Sequence, residues 1–398
     1  MKAEFFKKNR ENLRTALGSG GYIVIAGYSE MQQAHDMAAP FVQEGNFWYV
    51  TGIDAPDWWL IIEGSGKSYA VAPDINAVKQ TFDGSLDGET AKRISGVDRV
   101  IGRDEALGMI RAAARGHSMA YTVDQPKFIR EHAGFHLNPA QHELRQILER
   151  TFSNVSDCTK DIAKLRTIKQ PEEIDKITEA VKLTVGAFKQ MKSGLQAYKH
   201  EYEAEAQLTH EIRRHGAQGH AYLPIVAGGA SACTLHYIQN DAPLKKGSLL
   251  LFDVGARHGS YCADISRTYA IGKPTKRGIA VHDAVREAQA EIVGLMKPGL
   301  GFVEYQQRVD EIMQDALKKL KLDPEKLHDY MPHAIGHGLG IDVHDTLAGY
   351  DSLQPGMVLT VEPGIYLPDE GIGVRIEDDI VITEKGHKNL SSSLDAAF

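Results

Sequence analysis

The chain has 398 residues, 42% of them hydrophobic and 25% charged, values of an ordinary globular protein that exclude a disordered chain or a fibre. Its 45 Lys+Arg against 53 Asp+Glu leave a net charge of −8, without the basic surplus that a DNA or RNA partner calls for. No apolar run approaches the roughly 20 residues that cross a bilayer, and 3 cysteines without a CxxC pair offer neither a disulfide framework nor a thiolate zinc site.

Met1 to Lys8 lacks the apolar stretch of a signal peptide, so the expectation is a cytoplasmic protein with no nucleic-acid or membrane partner. Phe5 to Leu17 has the spacing of an amphipathic helix, closed by Gly18-Ser19-Gly20-Gly21. Strand-like runs follow at 22–26, 47–51, 58–62, 68–72 and 119–123, with a helix over 104–115. This alternation predicts an α/β domain over residues 1–160. Trp58 and Trp59 suit either its core or an interface.

Beyond Phe152 the helices lengthen. Pro171 suits a first helical turn, and Ile174, Ile177, Val181, Val185 and Phe188 recur at helical spacing before Gly194. Three further helices are marked by Tyr202, Leu208 and Ile212, by Val281 to Leu295, and by Val309 to Leu320. Runs at 249–254, 265–270, 357–365 and 374–383 read as strands, which predicts an α+β domain over residues 161–398.

Some motifs only imitate chemistry. Gly64-Ser65-Gly66-Lys67-Ser68 resembles the end of a phosphate loop, but Ile61 stands where the first glycine belongs, and a strand follows where a helix must start. A hairpin turn is the better reading. Gly229-Ala230-Ser231-Ala232 continues into Cys233, so there is no nucleophile elbow. His333-Ala334-Ile335-Gly336-His337 has zincin spacing without the glutamate, and its glycines oppose a helix.

Five segments carry the remaining chemistry. Asp253 closes the apolar run Leu250-Leu251-Phe252, and Asp264 follows across a plausible turn at Arg257-His258-Gly259-Ser260. His337 and His344 lie in a glycine-rich stretch that starts at His333. Glu362 closes a second apolar run before Pro363-Gly364, and alternation puts Arg375 and Glu377 on one strand face. Taken singly, each of these residues is an ordinary cap, turn or ion-pair residue. Gathered together, four carboxylates and an imidazole tolerate one another only with cations between them.

This set resembles the pita-bread metallopeptidases, in particular their aminopeptidase P and prolidase branch, over essentially the whole chain. The resemblance assigns two divalent metal ions to Asp253, Asp264, His337, Glu362 and Glu377, with Asp264 and Glu377 bridging. An oxygen-rich set with one imidazole suits Mn2+ first, with Co2+ or Zn2+ possible. His236, in Thr234-Leu235-His236-Tyr237, and His333, His344 and Arg375 match accessory positions of the proline-specific branch. Residues 41–52 resemble the N-terminal domain of aminopeptidase P enzymes, and 162–174 the linker into the catalytic domain. One departure is a short connection between Glu362 and Arg375.

The resemblance implies an α/β N-terminal domain followed by an α+β pita-bread (creatinase/aminopeptidase-like) catalytic domain, assembled as a homodimer or homotetramer. It implies an aminopeptidase whose substrates are peptides with proline in second place. On this reading Glu362 is expected to move the proton to the leaving nitrogen. The three accessory histidines contact the substrate, or else only scaffold the metal site, and Arg375 orients Glu377 or a neighbouring carboxylate. The alternatives are a prolidase restricted to X-Pro dipeptides, and a metal-free creatinase-like hydrolase or binding relative.

Overall fold

The computed structural model describes residues 1–18, 21–125, 131, 134 and 136–398. They form two compact units, Met1–Arg166 and Thr167–Phe398. The division therefore falls at the end of the helix Thr159–Thr167, somewhat beyond residue 160.

In the first unit, six strands form a mixed sheet in the order Arg99–Ile101, Ser68–Val71, Trp59–Ile62, Tyr22–Ala26, Met119–Thr122, Asn154–Asp157. Every residue of Tyr22–Ala26 is buried, as expected of a central strand covered on both faces. The helices Arg103–Ala113 and Ala140–Glu149 supply Ala106, Ile110, Leu144 and Leu148 to the core beside it. The predicted phosphate-loop imitation is the turn of a hairpin, with Gly66 at φ +89° between Trp59–Ile62 and Ser68–Val71. Trp58 is core, while Trp59 is half-buried under the guanidinium of Arg103, 3.5 Å from its ring centroid. The first helix runs Ala3–Ala16; of its predicted stop signal, Ser19 and Gly20 lie outside the described residues.

One expectation here is corrected. Phe47–Thr51 reads as a strand but belongs to the helix Gly45–Thr51. The Glu44 carboxylate caps it by accepting the Phe47 N–H at 2.6 Å, and Gly52 ends it at φ +68°. Phe47, Trp48, Tyr49, Val50 and Thr51 are all buried, so packing on every side overrides their β preference.

In the second unit the long helix Pro171–Gly194 starts as predicted, with the Glu173 carboxylate accepting the Gln170 N–H at 2.9 Å. Helices Lys276–Leu295 and Phe302–Lys319 bury Val281, Val285, Ile292, Val309 and Met313 in a core shared with Leu359, Val361 and Ile380. The sheets are small. Leu249–Val254 lies between Ile225–Gly228 and Ile265–Ala270, all antiparallel.

Two predicted strands each break in the middle. The run 357–365 divides into Val358–Val361 and Gly364–Leu367, and 374–383 into Ile372–Arg375 and Asp378–Thr383. The halves change partners: Val358–Val361 pairs with Asp378–Thr383, and Gly364–Leu367 with Ile372–Arg375. Pro363 has no N–H to continue a ladder, so the first break is written in the sequence. Glu362 and Glu377 sit at these two breaks, where a chain leaving one sheet for another aims a side chain between them.

The corner after Asp253 is made by Gly255, where a Cβ would lie 1.7 Å from the Ala263 carbonyl oxygen. Backbone, not a movable side chain, fills that space. Gly255→Ala is expected to destabilise the second unit by about 3 kcal/mol. Denaturant titration of the purified variant checks this; an unchanged midpoint would contradict it.

Candidate active site

Asp253 projects from the strand Leu249–Val254 opposite Ser266, and Asp264 sits one residue before Ile265–Ala270. The predicted turn between them is a tight hairpin with Gly259 and Ser260 both at positive φ. His337 lies in irregular backbone held to the strand Val358–Val361, its N–H donating to Thr360 Oγ1 at 3.1 Å and its carbonyl accepting from Thr360 N at 2.9 Å. Glu362 donates its N–H to Ile335 O at 2.9 Å, and Glu377 to Ser266 O at 3.0 Å. These backbone bonds bring five distant segments to one place.

All nine predicted site residues line one cavity of about 320 Å³: Asp253, Asp264, His337, Glu362, Glu377, His236, His333, His344 and Arg375. Leu223, Ile225, Leu235, Ile238 and Val343 form its apolar wall. Ligand atoms of Asp264, His337 and Glu377 lie within 4.8 Å of one another. Glu362 approaches the same imidazole, its Oε1 3.5 Å from His337 Nε2, and Asp264 Oδ2 is 3.4 Å from that nitrogen. Asp253 stands to one side, paired with Arg375 Nη2 at 2.6 Å.

Burial sets the electrostatics. Asp264, Glu377 and Arg375 are no more than 5% exposed. Burial first, then the neighbouring carboxylates, pushes Glu362 up to about 7, raises Asp264 from its ordinary value and lifts Glu377 well above its own. Burial pulls the His337 imidazole down, but Asp264 and Glu362 outweigh it and raise the group to about 9. His333 and His344 are pushed down to about 4 by burial, so both are neutral at pH 7.

The hydrogen bonds fix tautomers. His337 Nδ1 lies 3.0 Å from Gly338 O, an acceptor, so Nδ1 carries a proton; Nε2 faces the carboxylates, where it holds a second proton in the metal-free protein that a cation would displace. His333 Nδ1 likewise donates to Ala334 O at 2.8 Å, leaving Nε2 to accept from the Tyr366 hydroxyl at 2.9 Å.

These features test whether divalent cations fit. Four carboxylates face the cavity, and among its lining residues Arg375 is the permanent cation. The Tyr222 hydroxyl contacts both Asp253 and Asp264, yet it has one proton to give. The second contact needs a proton on a carboxylate or a cation between them. The donor set, oxygen-rich with one correctly oriented imidazole nitrogen, suits divalent ions.

The model of metallopeptidase family M24 matches residues 175–384, and that of the aminopeptidase P N-terminal domain matches residues 6–121. The chain belongs to metallopeptidase family M24. It is 32% identical to the Xaa-Pro aminopeptidase of Escherichia coli over 98% of this chain and 94% of that protein. It is 31% identical to Xaa-Pro aminopeptidase 3 of Homo sapiens over 94% of this chain and 79% of that one. Aminopeptidase P from Escherichia coli with the inhibitor Pro-Leu superimposes with a TM-score of 0.85 at 29% identity, covering 99% of this chain and 96% of that one. Its zinc-substituted form in complex with product gives 0.87 at 30% identity, with the same coverage. The architecture of this family M24 chain is thus a pita-bread catalytic domain behind an aminopeptidase P-type N-terminal domain.

In this family M24 site several working parts carry no sequence signal of their own. Ser266 accepts from Arg375 Nε at 3.0 Å and donates to Glu377 Oε2 at 2.7 Å, so Arg375 reaches Glu377 through a hydroxyl and Asp253 directly. Tyr366 accepts from Arg375 Nη1 at 2.7 Å and passes its own proton toward His333. Asp379, fully buried, accepts the Asp264 N–H at 3.1 Å, and burial holds its carboxyl far above the usual range. Tyr222, Ser266 and Tyr366 occupy ordinary strand and loop positions; only the fold brings them to the carboxylates.

Proposed function

We propose that this metallo-exopeptidase removes the N-terminal residue from peptides with proline in second place. The observation that carries the reading is the convergence of nine residues from six separated segments on one cavity. We assign Asp253, Asp264, His337, Glu362 and Glu377 as holders of two divalent ions. Manganese is the first choice for so oxygen-rich a set, with cobalt or zinc as substitutes. When bound, such ions supply a nucleophile at neutral pH and polarise the scissile carbonyl.

The chain's own residues do the rest. We assign Glu362, a carboxylate facing the cavity, delivery of a proton to the proline nitrogen. Proline's nitrogen lacks an N–H in the peptide, so the site needs no acceptor for one, and it must accommodate a ring. The apolar wall of Leu235, Ile238 and Val343 suits that ring. His236, His333 and His344 bind and orient the substrate. As uncharged imidazoles, His333 and His344 offer hydrogen bonds without adding charge to a crowded electrostatic site. Arg375 holds Asp253 directly and Glu377 through Ser266, with each of its three nitrogens engaged. By family resemblance the assembled state is a homodimer or homotetramer, and the compartment is the cytoplasm.

The test uses the chelated protein restored with manganese, offered an X-Pro dipeptide and an X-Pro-Y-Z tetrapeptide, with products identified by mass spectrometry. Metal-dependent loss of the first residue from the tetrapeptide is the expected result. Cleavage confined to the dipeptide would make it a prolidase. No cleavage of either by metal-loaded protein would overturn the proline-specific reading.

A further inference from the structure

We propose that Glu201 and Glu205, one turn apart on the helix Glu201–Arg214, are positioning residues that fix the segment carrying His236. From Thr234 to Asn240 the backbone has no helix or strand of its own, and His236 itself is exposed while lining the cavity. Something outside the segment must hold it if His236 is to meet substrate in one place. Fixed placement of a contacting group is worth a large part of a rate, since displacement by about 1 Å can cost 100-fold.

The ties are specific. Glu201 is wholly buried, and its Oε2 accepts the Tyr237 hydroxyl at 2.9 Å and the Ala242 N–H at 2.9 Å. Its Oε1 accepts the Gly228 N–H at 2.7 Å, at the end of the strand Ile225–Gly228. The Tyr237 hydroxyl also lies 3.3 Å from Asp241 Oδ1. At the far end of the segment, buried Asn240 adopts φ +49°, a conformation that asparagine tolerates better than most residues. Its Oδ1 accepts the Val226 N–H at 2.9 Å, and its Nδ2 donates to Glu205 Oε2 and to Pro224 O, each at 2.9 Å. Residues at i and i+4 share a helix face, so one face holds both ends of the turn that follows His236. The same bonds tie that turn to the strand paired with Leu249–Val254, which bears Asp253. His236 and the carboxylate cluster are thereby fixed to one framework.

The inference rests on the reading of His236 as a substrate-facing group. Tyr237→Phe removes only the hydroxyl and is expected to lower kcat/KM on an X-Pro-Y tripeptide about tenfold. Glu201→Gln is expected to act in the same direction at wild-type metal content. The discriminating readout is a double-mutant cycle: in a His236→Ala background, Tyr237→Phe should change kcat/KM by less than about twofold. If His236→Ala lowers activity and Tyr237→Phe costs the same factor in both backgrounds, the positioning role is overturned while the reading of His236 stands. If His236→Ala leaves activity unchanged, that reading fails and this inference with it. Wild-type activity in both Tyr237→Phe and Glu201→Gln would also overturn the inference.

Discussion

Asp264→Asn is expected to lower kcat/KM by about 10³-fold or more and to reduce the metal bound per chain, with the fold intact. Asp264 is the member common to both halves of the cluster. It meets His337 and Glu377 within 4.8 Å, and through the Tyr222 hydroxyl it is joined to Asp253. Asparagine keeps the shape and the Tyr222 contact but removes the charge that a cation requires. A second readout separates loss of metal from loss of fold. Burial and the nearby Asp253 charge make the ionised Asp264 unfavourable in the metal-free protein, so a neutral amide costs less there. Chelated Asp264→Asn should therefore melt at or above the temperature of chelated wild type at pH 8. Metal counting by mass spectrometry, steady-state kinetics and calorimetry on both forms test the claim. A variant retaining a tenth of wild-type turnover with full metal would place the reaction elsewhere.

Of the five proposed ligand positions, three stand out in the sequence by a local anomaly. Asp253 and Glu362 end apolar runs where an unpaired carboxylate is costly, and Pro363 marks a chain that stops pairing. His337 stands among glycines that no helix would keep. One of these glycines, Gly336, has a physical reason to be there, since a Cβ would fall 2.1 Å from the Thr360 carbonyl oxygen. The helices were legible from spacing, and Pro171–Gly194 starts at the predicted proline.

What could not be read was whatever depends on contacts between distant segments. Phe47–Thr51 has the composition of a strand and becomes helical because packing surrounds it. Arg375 and Glu377 share a face by alternation, but nothing in that spacing shows Ser266 between them. Tyr222 and Asp379 look like any loop or strand residue until Asp264 is placed against them. The break at Glu377 was hidden for a related reason. No proline marks it, and only the change of sheet partner reveals that two strands meet there.

The largest effect of all is expected from removing the metals, and it should depend on pH with a definite sign. In the metal-free protein, Glu362 is raised to about 7 from an unfolded value near 4.5, and Asp264 and Glu377 are raised as well. A carboxyl group that binds its proton more tightly when folded contributes stability below the unfolded value and loses it as pH climbs through the folded one. His337, raised to about 9 from 6.5, contributes stability that is present below 6.5 and is lost toward 9. Both slopes run the same way, so chelated protein should lose stability steadily from pH 5 to pH 9. Cations held by the proposed ligands should reverse the trend, because they would take the place of the protons on Glu362 and the Nε2 of His337, and binding strengthens as protons leave. The gap in melting temperature between metal-loaded and chelated protein should therefore widen as pH rises, while activity is lost on chelation at every pH and regained with manganese. Calorimetry at pH 5.5, 7 and 8.5, with and without chelator, measures the gap. Titration calorimetry in two buffers of different ionisation enthalpy counts the protons released. A gap that stays level or narrows toward pH 8.5, or binding without proton release at pH 6.5, would show that these carboxylates and this imidazole are not where the metals bind.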